Sequence, residues 1–130
     1  CLHGKGDTGA SFARQLQNLR GVADIVCIDA PLEYGDGFVW WNLPPGERSF
    51  TTPVFEGWDQ VFPTVKAAWE EKGPFDGLLG FSQGAIALAA LAVVGALRPG
   101  GPADGEPAAA SEADAAIRPR IMVLCGSAVP

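Results

Sequence analysis

Histidine is nearly absent: in 130 residues only His3 carries an imidazole. The three cysteines, Cys1, Cys27 and Cys125, stand far apart with no Cys-x-x-Cys spacing. Together these exclude the clustered His and Cys ligand sets on which zinc and related metal sites are built, so no metal is expected. An odd number of cysteines, two of them inside apolar runs where cysteine serves as a small hydrophobe, also argues against a disulfide framework and for a reducing, cytoplasmic setting. Basic residues are scarce as well. Nine Lys and Arg against fifteen Asp and Glu leave a net charge of −6, the wrong sign for gathering phosphate backbones, and nucleic acid is excluded as a partner. No apolar run approaches the roughly 18 residues of a membrane span, and no charged stretch precedes an apolar segment at the start, so the chain reads as soluble. Nothing in the sequence fixes an oligomeric state.

What remains is a chain in which 48% of residues are hydrophobic, enough to bury the core of one domain over 1–130. It opens on Cys1 and its last apolar run, Ile121-Met122-Val123-Leu124-Cys125, comes just before the final Pro130. Both ends read as cut, and a partial domain truncated at its C-terminus is expected. Cys1-Leu2 has the character of a strand tail. Phe12, Leu16 and Leu19 then recur at helical spacing after Thr8-Gly9-Ala10-Ser11, with Gly21 placed to end the helix. Ile25-Val26-Cys27-Ile28 is a β-branched run of the kind buried in parallel sheets. Residues 33–57 hold Tyr34, Phe38, Trp40, Trp41, Phe50 and Phe55 without a sustained period and read as a long ordered loop or lid. A helix is predicted from about Gln60 to Lys72, stopped by Gly73-Pro74, then a short strand ending at Phe81 and an apolar helix from Ala85 to Leu97. The Ala-, Pro- and Gly-rich stretch 99–119 has little to bury and reads as a flexible low-complexity insertion. Strand character returns at 120–125. Strands alternating with helices predict an α/β domain, a partial parallel sheet with helices on both faces.

The chemistry is concentrated in Gly80-Phe81-Ser82-Gln83-Gly84. This is the G-x-S-x-G form, in which small residues flank a serine so that a strained strand-to-helix turn can present its hydroxyl above a sheet. Its setting between a predicted strand and a predicted helix is what that device requires, and Ser82 is the candidate nucleophile. Acyl transfer also needs backbone N–H groups aimed at the developing oxyanion, one from the residue after the serine and one from a loop after an early strand. Gln83 and Lys5 are the candidates, each through its amide; the Lys5 ammonium itself reads as a solvated charge. Trp40 and Trp41, with Phe38 and Phe55, either line an apolar acyl pocket or pack in the core.

Leu2-His3-Gly4, Trp40-Trp41, Gly46-Glu47-Arg48-Ser49, Glu56-Gly57-Trp58 and the run from Gly73 to Ala85 together resemble the FSH family of serine hydrolases. The resemblance spans most of 1–97 and resumes at 120–130. It implies an α/β-hydrolase with esterase or thioesterase activity on small-molecule acyl substrates, without a cofactor. Leu2-His3-Gly4-Lys5-Gly6-Asp7-Thr8-Gly9 is also similar to the acyl-protein thioesterase and carboxylesterase family of the same superfamily. In that superfamily the triad runs Ser, then Asp or Glu, then His along the chain. Here no histidine follows Ser82, and the acids after it, Asp104, Glu106, Glu112 and Asp114, lie in the low-complexity stretch. His3 occupies a structural position beside the oxyanion loop. The triad Asp and His are therefore expected to be missing from this fragment, which by itself should be nearly inert.

Two other readings compete. Gly4-Lys5-Gly6-Asp7-Thr8-Gly9 spells G-x-G-x-x-G ahead of a helix, with Asp29 twenty residues after Gly9, the pattern of a dinucleotide-binding turn. A non-catalytic pseudoenzyme that keeps the serine turn and has lost its base accounts for the absent histidine.

Overall fold

The computed structural model describes residues 1–49, 51–98 and 117–126. Phe50 and nearly all of the 99–119 stretch, with its four acids, lie outside the described residues. Among the described residues the architecture is mixed helix and strand around a small parallel sheet. Strand β3 (Gly77–Phe81) is central and pairs in parallel with β4 (Ile121–Cys125), in the register Gly77↔Ile121 to Phe81↔Cys125. On its other side Leu2 bridges Gly80 and, one position further out, Ile28, both in parallel. The order across the sheet is thus Ile28, Leu2, β3, β4. The strand expected over Ile25–Ile28 is reduced to a single bridging residue, Ile28.

Alternation along β3 sorts the helices. Leu78 and Gly80 share one face. There Leu78 belongs to a core with Val61 and Val65 of α2 (Val61–Lys72) and Leu88 and Leu91 of α3 (Gln83–Val93). Phe81 faces the other way, with its ring 6.1 Å from that of Phe12 on α1 (Gly9–Gln15). α2 keeps its predicted boundaries; its outer face is closed by a Lys66–Glu70 pair at helical spacing, exposed and of small energetic weight. α1 starts within the expected Thr8–Ser11 segment, where its first turn is well capped, and ends at Gln15, short of the stop expected at Gly21. Thr8 Oγ1 accepts from the Ser11 amide and Asp29 Oδ1 from the Gly9 amide, at 3.1 and 2.7 Å. A 3₁₀ turn over Gln17–Leu19 follows.

Within the aromatic stretch 33–57 the structure holds a hairpin not foreseen from the sequence, β1 (Leu32–Tyr34) against β2 (Gly37–Val39). Its two-residue turn places Gly35 first, at φ 60°, as a type II′ turn requires. β2 lies against the loop after Leu2: Gly6 donates to Phe38 O and Phe38 to Asp7 O, at 2.8 and 2.9 Å. Of the stretch 99–119, Ile117 and Pro119 are described and buried, and Ile117 bridges Leu97 in parallel.

Candidate active site

The sheet delivers β3 into α3 through one residue, Ser82. It has φ 50° and ψ −117° and is the one non-glycine residue with positive φ among those described. A side-chain-bearing residue in that region costs on the order of 1–3 kcal/mol, which the surroundings have to over-determine. They do so by close packing. A Cβ on Gly80 would come within 2.7 Å of the Ala85 backbone, and one on Gly84 would overlap Leu2 O and stand 2.7 Å from His3 O. Backbone bonds fix the turn from both sides, with Phe81 N–H on Leu2 O and Ser82 N–H on Cys125 O, at 3.0 and 2.9 Å. Ser82 is partly exposed at the start of α3, and its side chain makes no capping hydrogen bond there. Its hydroxyl and the first amide of α3, Gln83 N–H, which has no partner inside the helix, are presented together.

The loop carrying Lys5 meets this turn directly. A Cβ built on Gly4 would lie 3.4 Å from Ser82 Cβ, so the Gly4-Lys5 backbone passes beside the serine. Lys5 is exposed, and its ammonium sits 4.8 Å above the Tyr34 ring. Lys5, Tyr34 and the segment from Trp41 to Glu47 line a cleft of about 190 Å³.

Trp40 and Trp41 are 0% and 1% exposed and belong to the core. Trp41 also walls the cleft and packs edge-on to Trp58 and Phe55. Trp40 is held from two sides: its indole N–H donates to His3 O, and its backbone N–H to Gln83 Oε1, each at 2.9 Å. Gln83 Nε2 donates in turn to Trp41 O at 2.9 Å. This use of the Gln83 side chain was not visible in the sequence, since its partners are backbone atoms more than forty positions away.

His3 is fully buried, and both ring nitrogens are engaged. The Ala30 amide donates to Nε2 at 3.1 Å, and Nδ1 donates to Gly4 O at 2.7 Å. Those partners select the neutral Nδ1–H tautomer, which leaves no lone pair to take a proton from Ser82.

The glycine-rich turn at 4–9 does not keep a helix N-terminus open for a pyrophosphate. The Gly9 amide is taken by Asp29, so the carboxylate that would reach a ribose instead caps α1. Asp7 beside it is pulled two ways. Burial raises its carboxyl, but hydrogen bonds from the Thr8 amide and the Ser11 and Gln15 side chains outweigh this and hold it below its ordinary value. Among the described residues no group of three His, Cys, Asp or Glu side chains converges as a metal site would, and no helix is long and apolar enough to cross a membrane.

A family model described as serine hydrolase (FSH1) matches residues 1–129. The chain belongs to that family. Similarity of this serine hydrolase family member to curated proteins follows the same line. It is 35% identical over 112 residues to "Esterase OVCA2" of Xenopus tropicalis, a match covering 68% of this chain and 49% of that protein. It is 38% identical over 103 residues to "Esterase CG5412" of Drosophila melanogaster, covering 65% and 37%. A 128-residue match at 36% identity to "Rhodanese-like domain-containing protein 6" of Arabidopsis thaliana covers 70% of this chain and 21% of that protein. The chain thus spans from about a fifth to about a half of the length of these relatives. No solved structure gives a significant match.

Proposed function

We propose that this chain carries the nucleophile and oxyanion half of an α/β-hydrolase that cleaves carboxylic esters or thioesters, with Ser82 as nucleophile. The observation that carries the reading is the backbone of Ser82 at φ 50°, ψ −117° between β3 and α3, where its hydroxyl is spared from capping the helix it begins. Positive φ at a serine costs energy, and backbone strain of this kind clusters at active sites, the strand-to-helix serine turn of hydrolases among them.

In the proposed reaction Ser82 Oγ attacks the acyl carbonyl carbon while a general base removes the hydroxyl proton. The amides of Lys5 and Gln83 receive the negative charge that develops on the carbonyl oxygen. Collapse of the tetrahedral species expels the alcohol or thiol, protonated by the same base. Water then attacks the acyl-serine, and the acid leaves with Ser82 restored. Trp41 and the cleft beside Lys5 would hold the substrate. His3 cannot be the base, for both its nitrogens are committed. The base and the carboxylate that orients it would come from residues outside this chain, in a protein of the greater length seen in the relatives.

In that longer protein, Ser82→Ala should lower hydrolysis of p-nitrophenyl esters by about a thousandfold or more while circular dichroism stays unchanged. Hydrolysis retained in the variant would overturn the assignment. Activity absent from the parent as well would favour the non-catalytic reading, with the serine turn kept only as a fold element.

A further inference from the structure

We propose that the Gln83 side chain is a positioning residue that ties the two oxyanion amides to each other through Trp40; the inference rests on the Ser82 reading above. The observations form one continuous buried chain. Gln83 is 4% exposed, and its amide spans two successive residues, accepting from Trp40 N–H and donating to Trp41 O, each at 2.9 Å. The Trp40 indole then donates to His3 O at 2.9 Å, and the His3 ring holds Gly4 O at 2.7 Å and the Ala30 amide at 3.1 Å. Gly4 is the residue whose backbone runs beside Ser82, with Lys5 next to it.

One residue therefore does two separable things. Its backbone N–H belongs to the turn after Ser82, and its side chain fixes the end of the hairpin, from which Trp40 reaches down to the loop carrying the second amide. Both of its side-chain partners are backbone groups, so a Gln–backbone bridge sets their positions more tightly than apolar packing against the indoles would. Oxyanion donors act mainly on the transition state, and a displacement of about 1 Å can cost up to a hundredfold in rate. Loosening this chain should consequently appear in kcat, with KM little changed.

Gln83→Leu removes both side-chain bonds and keeps the backbone amide. Gln83→Glu provides a sharper variant. A protonated carboxyl can accept from Trp40 N–H and donate to Trp41 O as the amide does, whereas a carboxylate faces Trp41 O with no proton to give. Burial favours the protonated form. Among the described residues the His3 imidazole lies in this network and is common to parent and variants, so rates are compared as ratios to the parent at each pH.

The measurements are steady-state kinetics in the longer protein and amide hydrogen exchange at Trp40, Gly4 and Lys5. Gln83→Leu and Trp40→Phe should each lower kcat about tenfold or more with KM within about twofold, and the double variant should fall no lower than the poorer single one. Gln83→Glu should approach parental kcat at about pH 5.5 and fall away from it as the pH rises to about 8.5. Exchange at Trp40 and Lys5 should quicken in Gln83→Leu whether or not Ser82 is the nucleophile. Unchanged kcat in Gln83→Leu, multiplicative losses in the double variant, or a pH-independent Gln83→Glu ratio would overturn the positioning role. Turnover retained in Ser82→Ala would instead remove the catalytic reading and leave the exchange result to decide whether the chain of contacts is coupled.

Discussion

Ser82 keeps its backbone conformation because its neighbours leave no alternative. Gly80 and Gly84 approach Ala85, Leu2 and His3 too closely for any side chain, and the nearest atoms are backbone, which cannot swing aside. Gly84→Ala should therefore destabilise the fold by about 3 kcal/mol, the upper part of the usual range for overpacking, and also displace the Leu2–Lys5 loop. Gly95→Ala provides a contrast, because nothing lies within 4 Å of a Cβ there, and its cost would come from its positive φ alone. Urea unfolding of the two variants checks this, and equal midpoints would contradict it. The glycine pattern around Ser82 was legible in the sequence because its spacing is local. The placement of the two tryptophans was not, since aromatic residues suit a pocket wall and a core equally; Trp40 is tied into the core through His3 and Gln83, while Trp41 packs in the core and also walls the cleft.

Among the elements, α1 depends on acceptors drawn from both sides of its start. Asp29, the residue that made the glycine-rich turn resemble a dinucleotide site, accepts from the Gly9 amide rather than from a ribose hydroxyl. Asp29→Ala should cost about 1 kcal/mol in chemical denaturation, as loss of a helix cap does. Asp7 adds a pH dependence of defined sign. Its folded carboxyl lies below its ordinary value of 3.8, so its contribution is present above that pH and fades as the pH falls through the lowered value. The stability difference between the parent and Asp7→Asn should accordingly be larger at about pH 6 than at about pH 2. A difference independent of pH would contradict it. Helix α2 was legible from its 3.6-residue period and its Gly-Pro stop. The hairpin was not, because strands of three residues are too short to show alternation, although Tyr34-Gly35-Asp36-Gly37 carried the turn chemistry that could have revealed it.

Among the described residues, one face of the β3–β4 pair carries exposed apolar side chains. Ile121 and Val123 on β4 and Phe81 on β3 are 61%, 42% and 45% exposed and share the sheet face on which α1 lies. Apolar side chains left exposed on a sheet face promote association. The 130-residue chain alone should self-associate in sedimentation velocity, and Ile121→Glu with Val123→Lys should shift it towards monomer. A monomeric parent would contradict this. The mixture of helices with a small parallel sheet followed from alternating apolar runs. The reach of β4 back to β3 did not, since the chain between Leu97 and Ile117 carries no periodic signal. The central claim remains the chemistry of Ser82, and covalent capture tests it most directly. The longer protein would be treated with a fluorophosphonate, digested and mapped by mass spectrometry. The account predicts a phosphonylated peptide modified at Ser82 and lost in Ser82→Ala. An adduct at another residue, or none on a protein that hydrolyses esters, would contradict it.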